Sequence, residues 1–284
     1  MIKFFKYLLQ ALFVYFFFIT GRLLGLSWSR KLYSFIFKKI GPLFKSKKII
    51  ENNLEKFLRN DSVKKEKIIL DMWSNYGMTF IEYIFLKKFR KNNSHISIDG
   101  REKLIKIAKS KKSVIFISGH FANFELMSME LTKAGINLAT IYRPLNNYLI
   151  NPFMEYLRKK YICKNQIQKG IKGVKDAIKF IDNKHSIALM VDQRVSEGER
   201  IDFFNHKALT TTLPAQLALK YNMEIIPILI KRDDTLNFKM KIYDPVNFSD
   251  TKDKLEITKK LNLVLEKLIY ENPNQWIWTH NRWK

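Results

Sequence analysis

Ser113-Val114-Ile115-Phe116-Ile117-Ser118-Gly119-His120-Phe121-Ala122-Asn123-Phe124-Glu125-Leu126 is the stretch on which the fold turns. The apolar run 113–117 predicts a buried strand, and 124–133 predicts a helix directly behind it. His120 stands at the mouth of the strand, with Glu125 about one turn further on. A histidine takes a proton near neutral pH, and a carboxylate orients its ring and stabilises its cation. The pair therefore predicts a general base acting on a hydroxyl. On one straight helix, positions five apart diverge by about 140°, so the two side chains meet only if His120 lies in the turn and Glu125 in the helix. Gly119 suits such a turn, and Asn123 is a candidate cap. H-x-x-x-x-E is a short pattern, and a chance neighbour relation is the competing reading.

Outward from this unit the chain alternates. Strands are expected over 137–142, 185–191, 224–230 and 239–243, and helices over 152–160, 174–181, 213–220 and 255–270. Before them, 50–89 reads as helices. Strands alternating with helices predict an α/β domain with a mostly parallel sheet flanked by helices. Sites in such sheets lie beyond the carboxyl ends of the strands. His120, Arg143 and Asp192 each fall just after a strand.

Composition bounds the rest. At 284 residues and 46% hydrophobic, the chain can bury one sizeable core. Its formal net charge of +25, from 51 Lys+Arg against 26 Asp+Glu, points to an anionic partner. Part of that charge is attributable to codon bias. The Lys-rich patches at 63–67 and 109–112 read as solvated faces. No nucleic-acid motif accompanies the charge. Cys163 is the only cysteine, which excludes an internal disulfide. The five histidines show no metal-ligand spacing, and neither metal nor cofactor is expected.

Residues 4–26 are dominated by apolar and aromatic side chains, interrupted by Lys6, Gln10, Thr20 and Arg22. The cleanest part, 7–19, is short of the roughly 20 residues that a bilayer crossing needs; extension to Leu26 reaches it. No small-x-small cleavage site follows. The expectation is an uncleaved anchor over 1–30, spanning or interfacial, followed by one catalytic domain over 31–284 whose first part, 31–95, is helical. The basic flank (Arg22, Arg30, Lys31, Lys38, Lys39, Lys45, Lys47, Lys48) predicts a cytoplasmic orientation.

Several further stretches share an ordered pattern with a known family. They are Glu51-Asn52-Asn53-Leu54, Gly119 to Leu126, Tyr142-Arg143-Pro144, Arg158, Asp192-Gln193, Phe203-Phe204, Thr210-Thr211-Thr212-Leu213-Pro214-Ala215, and the ending from Pro273 to Lys284. The chain resembles the bacterial lipid A biosynthesis acyltransferases, the late lauroyl/myristoyl group, from about Gly21 to its end. The resemblance implies an αβ fold behind a membrane-binding N-terminus. It implies that His120 and Glu125 form a catalytic dyad, with His120 deprotonating an acceptor hydroxyl that attacks an acyl thioester. It also implies functional roles for Arg158 and Asp192. Arg143 is a candidate ligand for phosphate or a developing oxyanion; a structural salt bridge is the equal alternative. Asp192 is a candidate for pinning a loop through backbone N–H groups, and Gln193 is a further substrate-binding candidate. Thr210–Thr212 are expected to cap the next helix. The family's glycine after the paired phenylalanines is replaced by Asn205, which tolerates a left-handed conformation.

The leading expectation is direct acyl transfer from acyl carrier protein to a hydroxyl of a lipid A precursor, an anionic glycolipid acceptor, on the cytoplasmic face of the bacterial inner membrane. Ser118 is the nearest candidate for a covalent nucleophile and a weak one. Acylation of another glycolipid or a lysophospholipid, from acyl carrier protein or acyl-CoA, is an alternative. A non-catalytic basic protein of the membrane surface is another, but it has no use for His120 and Glu125.

Overall fold

The computed structural model describes residues 1–58 and 62–284; the part of the helical expectation that falls on 59–61 lies outside the described residues. The helical front comprises α1 (Ile2–Phe44), α2 (Lys47–Leu58), α3 (Ser62–Glu82) and α4 (Leu86–Lys91). Then come β1 (Ile96–Asp99), α5 (Arg101–Ser110), β2 (Ile115–Ser118), α6 (Glu125–Lys133), β3 (Leu138–Tyr142), α7 (Asn151–Leu157) and β4 (Asn165–Gln168). The chain continues through α8 (Ile171–Asp182), β5 (Ser186–Met190), β6 (Glu199–Phe203), β7 (His206–Thr210), α9 (Leu213–Tyr221), β8 (Ile225–Arg232), β9 (Phe238–Ile242) and α10 (Lys254–Glu271).

Seven strands form one sheet in the order β1-β9-β8-β2-β5-β3-β4. Only the β8–β9 pair is antiparallel among its pairings. The central strand β2 is buried on both faces, with Ile115, Phe116 and Ile117 all at most 2% exposed. This is why it reads as a continuous apolar run rather than an alternating one. The mostly parallel α/β expectation holds. Sequence reading missed the short strands β1, β4, β6 and β7, of four or five residues each, and the helix α5. The β6–β7 hairpin turns on Phe204 and Asn205 at φ +51° and +59°, the two left-handed positions of a two-residue turn. Asn205 thus takes the conformation a glycine would.

α1 is not one rod. Gly25 sits at φ +75°, ψ 169°, outside helical geometry. In a straight helix, residues 16 apart lie about 24 Å apart. Here the Tyr33 hydroxyl donates to the Phe17 carbonyl at 2.7 Å and lies 2.6 Å from the Thr20 hydroxyl, and the Ser29 hydroxyl donates to the Gly21 carbonyl. The two arms therefore fold back on one another at Gly25, where φ is positive and glycine is the residue that adopts it without strain. Both arms pack on α3. A Cβ at Gly77 would collide with the Tyr33 carbonyl, and one at Gly21 with the Ile81 side chain. The first arm also docks on the loop after β3: Asn147 donates to the Tyr7 carbonyl and Tyr15 to the Leu149 carbonyl, both at 2.9 Å. Ala11 and Phe18 are buried, whereas Phe5, Leu9, Leu12, Phe13, Phe16, Ile19 and Leu23 on the other side are exposed. The hairpin is thus built into the domain on one face and apolar on the other. The boundary expected at residue 30 falls inside it, and Arg30 is buried against Glu82 at 2.6 Å.

The aromatic ending closes the core: Trp276 and Trp278 are 2% and 0% exposed. Asn53 in α2 donates to the carbonyls of both Trp278 and His280. This explains why the Asn-Leu stretch and the terminal aromatics belong to one pattern.

Candidate active site

Strand register builds the centre of the site. Ser118 of β2 pairs with Met190 of β5 in parallel register. Two steps further along each chain stand His120 and Asp192, side by side beyond the carboxyl ends of the two strands. The Asp192 Oδ1 lies 2.7 Å from His120 Nδ1, and Oδ2 accepts the His120 backbone N–H at 2.7 Å and the Trp276 indole N–H at 2.9 Å. Asp192 is 1% exposed. Burial opposes its ionisation, but the His120 charge and these hydrogen bonds outweigh it and hold the carboxyl below its ordinary pKa. An ionised carboxylate only accepts hydrogen bonds, so Nδ1 carries the proton and Nε2 presents the lone pair. The His120 side chain is 19% exposed, which leaves it reachable. Gly119 permits this approach, since a Cβ there would lie 2.8 Å from the Phe121 ring and 3.2 Å from Asp192 Oδ2.

Glu125 is elsewhere. Its Oε1 accepts from the Tyr83 hydroxyl at 2.6 Å and from Arg158 Nε at 2.7 Å, and it pairs with Arg158 Nη2 at 2.7 Å. The direct His120–Glu125 contact expected from the motif is replaced by His120–Asp192. Glu125 opens α6, where its side chain turns toward the short turn Tyr83–Phe85 that follows α3 and the π-helical turn Arg158–Ile162 rather than back toward the loop. Burial works against the Arg158 guanidinium, but Glu125 and Tyr83 outweigh it and raise its pKa. Burial, then Glu125, raises that of the Tyr83 hydroxyl.

The loop between these two sites is braced from behind. Ala122, not Gly119, is the residue in left-handed geometry, at φ +44°. Its carbonyl accepts from Thr79 at 3.0 Å and its N–H donates to the Gln275 carbonyl at 3.0 Å. Asn123 is not a cap: its side chain donates to Glu82 Oε2 at 2.9 Å. Glu82, fully buried, also binds Arg232 and Arg30. Burial opposes the Glu82 charge, but Arg232 and Arg30 prevail and lower its pKa.

The other expected residues are placed as follows. Arg143 lies exposed one residue past β3 and forms no ion pair among the described residues, which removes the structural salt bridge. Gln193, half-buried, makes no hydrogen bond to the described residues. Asp192 does accept a backbone N–H, as expected, but also takes the imidazole. Thr212 precedes α9 without capping it, while Thr211 Oγ1 takes the Leu213 N–H at 3.3 Å. Ser118 is 3% exposed and its hydroxyl donates to the Gly119 carbonyl, not to His120. Cys163 is buried with its thiol pKa raised by desolvation. His280 accepts the Arg194 backbone N–H at Nε2 (2.9 Å) and is held neutral by burial, its pKa lowered to about 4. Glu82 and Tyr83 on one side and Trp276 and His280 on the other reach the site from two segments far in sequence from His120, so nothing near the motif announces them.

The family model described as bacterial lipid A biosynthesis acyltransferase matches residues 2–284. A lipid A biosynthesis acyltransferase of Haemophilus influenzae is 25% identical over 182 residues, 61% of this chain and 56% of that protein. The lipid A biosynthesis lauroyltransferase of Escherichia coli K12 is 24% identical over 246 residues, 84% of this chain and 78% of that protein. The solved 1-acyl-sn-glycerophosphate acyltransferase of Thermotoga maritima superposes with a TM-score of 0.40 at 14% identity, over 87% of this chain and 98% of that one, too loosely to argue from. With residues 2–284 matched by the family model, the chain belongs to the bacterial lipid A biosynthesis acyltransferase family.

Proposed function

We propose that this protein is a membrane-bound O-acyltransferase that moves a fatty acyl group from an acyl carrier protein thioester to a hydroxyl of a lipid A precursor. The observation that carries the reading is the His120–Asp192 pair: a reachable imidazole whose Nδ1 is tied to a buried, ionised carboxylate. In this mechanism Nε2 removes the acceptor O–H proton as the oxygen attacks the thioester carbonyl. The C–S bond then breaks, the thiolate takes the proton back from the imidazolium, and an ester and a free thiol leave. Asp192 is the orienting partner. Glu125 acts at one remove, fixing the start of α6 through Arg158 and Tyr83. Transfer is direct, because the Ser118 hydroxyl is bonded to a carbonyl and Cys163 is buried.

The exposed apolar face of α1, about 23 residues in its first arm, supplies the membrane contact. The exposed Lys31, Lys38, Lys39, Lys45, Lys47 and Lys48 favour an anionic cytoplasmic leaflet, at roughly 1 kcal/mol each. The test is to supply purified protein with detergent-solubilised tetra-acylated precursor and labelled acyl carrier donor and to weigh the lipid product. A heavier lipid by one acyl group is expected. Product only from acyl-CoA, or only with a lysophospholipid acceptor, would replace the donor or acceptor named here, and no transfer from any pairing would end the enzyme reading.

A further inference from the structure

The geometry points to an anion-binding row at the mouth of this site, made by Arg194, Arg143 and Lys169, that holds a phosphate group of a substrate beside His120. The inference deepens the acyl-transfer reading and rests on it for the substrate, though not for the existence of the row.

The sheet order β2-β5-β3-β4 places the chain segments leaving these strands in a line. His120 follows β2, Arg194 follows β5, Arg143 follows β3 and Lys169 follows β4. Adjacent strands lie about 4.8 Å apart, so the line runs roughly 14 Å from the imidazole to the lysine. Arg143 and Lys169 are successive to the register partners Tyr142 and Gln168, and the Lys169 N–H donates to the Tyr142 carbonyl at 2.8 Å. The pair therefore stays in step beyond the strand ends. Arg194 is fixed by its backbone bond to His280, two residues after Asp192.

None of the three forms an ion pair among the described residues. The Arg194 Nε is shielded from solvent and has no partner within the described residues. Like charges held this close repel. The Lys169 pKa is lowered by desolvation and by Arg143 and Arg194, and Glu197 only partly offsets them. His280, neutral at physiological pH, adds no further positive charge to the row and no negative charge to offset it. Three cations held in register with one nearby carboxylate are stabilised by a multiply charged anion, and guanidinium groups fit phosphate oxygens in pairs. Two substrates of the proposed reaction carry phosphate: the glycolipid acceptor, and the carrier through its prosthetic arm. Arg194 follows the strand next to that of His120, which suits a phosphate on the molecule that also bears the attacking hydroxyl.

The overall charge of +25 demands an internal control. A cavity of about 1260 Å³ beside the amino ends of β2, β5 and β8 is bordered by Lys111, Lys112 and Lys184, and it lies at the pole opposite His120. Inorganic pyrophosphate is titrated into the full-length protein in detergent and followed by calorimetry. Wild type and K111Q/K112Q/K184Q should bind alike, and R143Q/K169Q/R194Q should bind about tenfold or more weakly. K169Q alone, at an exposed position, should show part of the loss in a protein with unchanged melting behaviour. Equal binding by the triple row variant and wild type, or an equal loss in the control, overturns the row. In turnover assays K169Q should raise KM for a phosphorylated acceptor and not for its dephosphorylated form; a rise confined to the donor's KM assigns the row to the carrier's phosphate. If wild type transfers no acyl group but binds pyrophosphate through these residues, the function falls and the row stands.

Discussion

Asp192 and Glu125 are both buried carboxylates beside the loop that carries His120, yet they sit in unlike surroundings. Asp192 is held by an indole N–H, a backbone N–H and a reachable imidazole. Glu125 faces a guanidinium and a phenol, both buried. In the proposed mechanism the first arrangement changes charge at its histidine during a proton transfer. The second keeps its charges fixed, because the arginine's pKa is raised and never comes within reach of neutrality. Proximity in sequence to His120 belongs to Glu125; proximity in space belongs to Asp192. A short motif thus marks a site without saying which of its members meet.

That contrast can be broken by measurement. His120→Ala should lower turnover by about 10³-fold or more while leaving membrane attachment intact; equal activity would remove the general base altogether. Asp192→Asn should cost a similar order, about 10²–10⁴-fold in kcat, since the neutral amide can present the wrong hydrogen-bonding partner to Nδ1. Glu125→Gln should divide differently: a loss of about 3 kcal/mol in stability from the stranded Arg158, and a smaller drop in turnover that cooling partly restores. Should Glu125→Gln abolish turnover with an unchanged melting temperature, the motif carboxylate acts on the chemistry after all. Gly119→Ala should destabilise by about 1–3 kcal/mol, because its new methyl group meets the Phe121 ring and crowds Asp192.

The smallest effect is in pH. His280 has a folded-state pKa lowered to about 4 from 6.5, so the unfolded chain binds more protons between those values. Its contribution is complete above about pH 6.5 and lost as pH falls toward 4. Asp192, also lowered, keeps its contribution above the unfolded carboxyl value of about 3.9 and loses it only in stronger acid. Melting temperature should therefore decline between pH 6.5 and 4, and His280→Gln should flatten that slope. A slope unchanged in the variant would place the titrating group elsewhere.

The N-terminal hairpin offers a second contrast with the site. Its exposed residues are apolar on one face, and its buried ones, Ala11, Phe18, Gly21 and Tyr33, lock onto α3 and the loop after β3. Hydropathy read that stretch as an anchor apart from the domain. Composition reports how greasy a segment is, and says nothing of whether one side is already taken by protein. Gly25 looks like any glycine in an apolar run; its positive φ exists only because Tyr33 returns to Phe17.

The chain's own order of residues was enough to determine the α/β class, the strand before Gly119, the position of His120 beyond it and the presence of an apolar N-terminal helix. These follow from periodicity and apolar runs, which are local properties. Tertiary structure decided that Asp192 rather than Glu125 meets the imidazole, that Glu82 and Gln275 brace the loop, and that Arg194, Arg143 and Lys169 fall into line. Each of those depends on which strands lie side by side and in what register. Pairing between segments dozens of residues apart is set by the packing of the whole sheet, and leaves no trace in the spacing along any one of them.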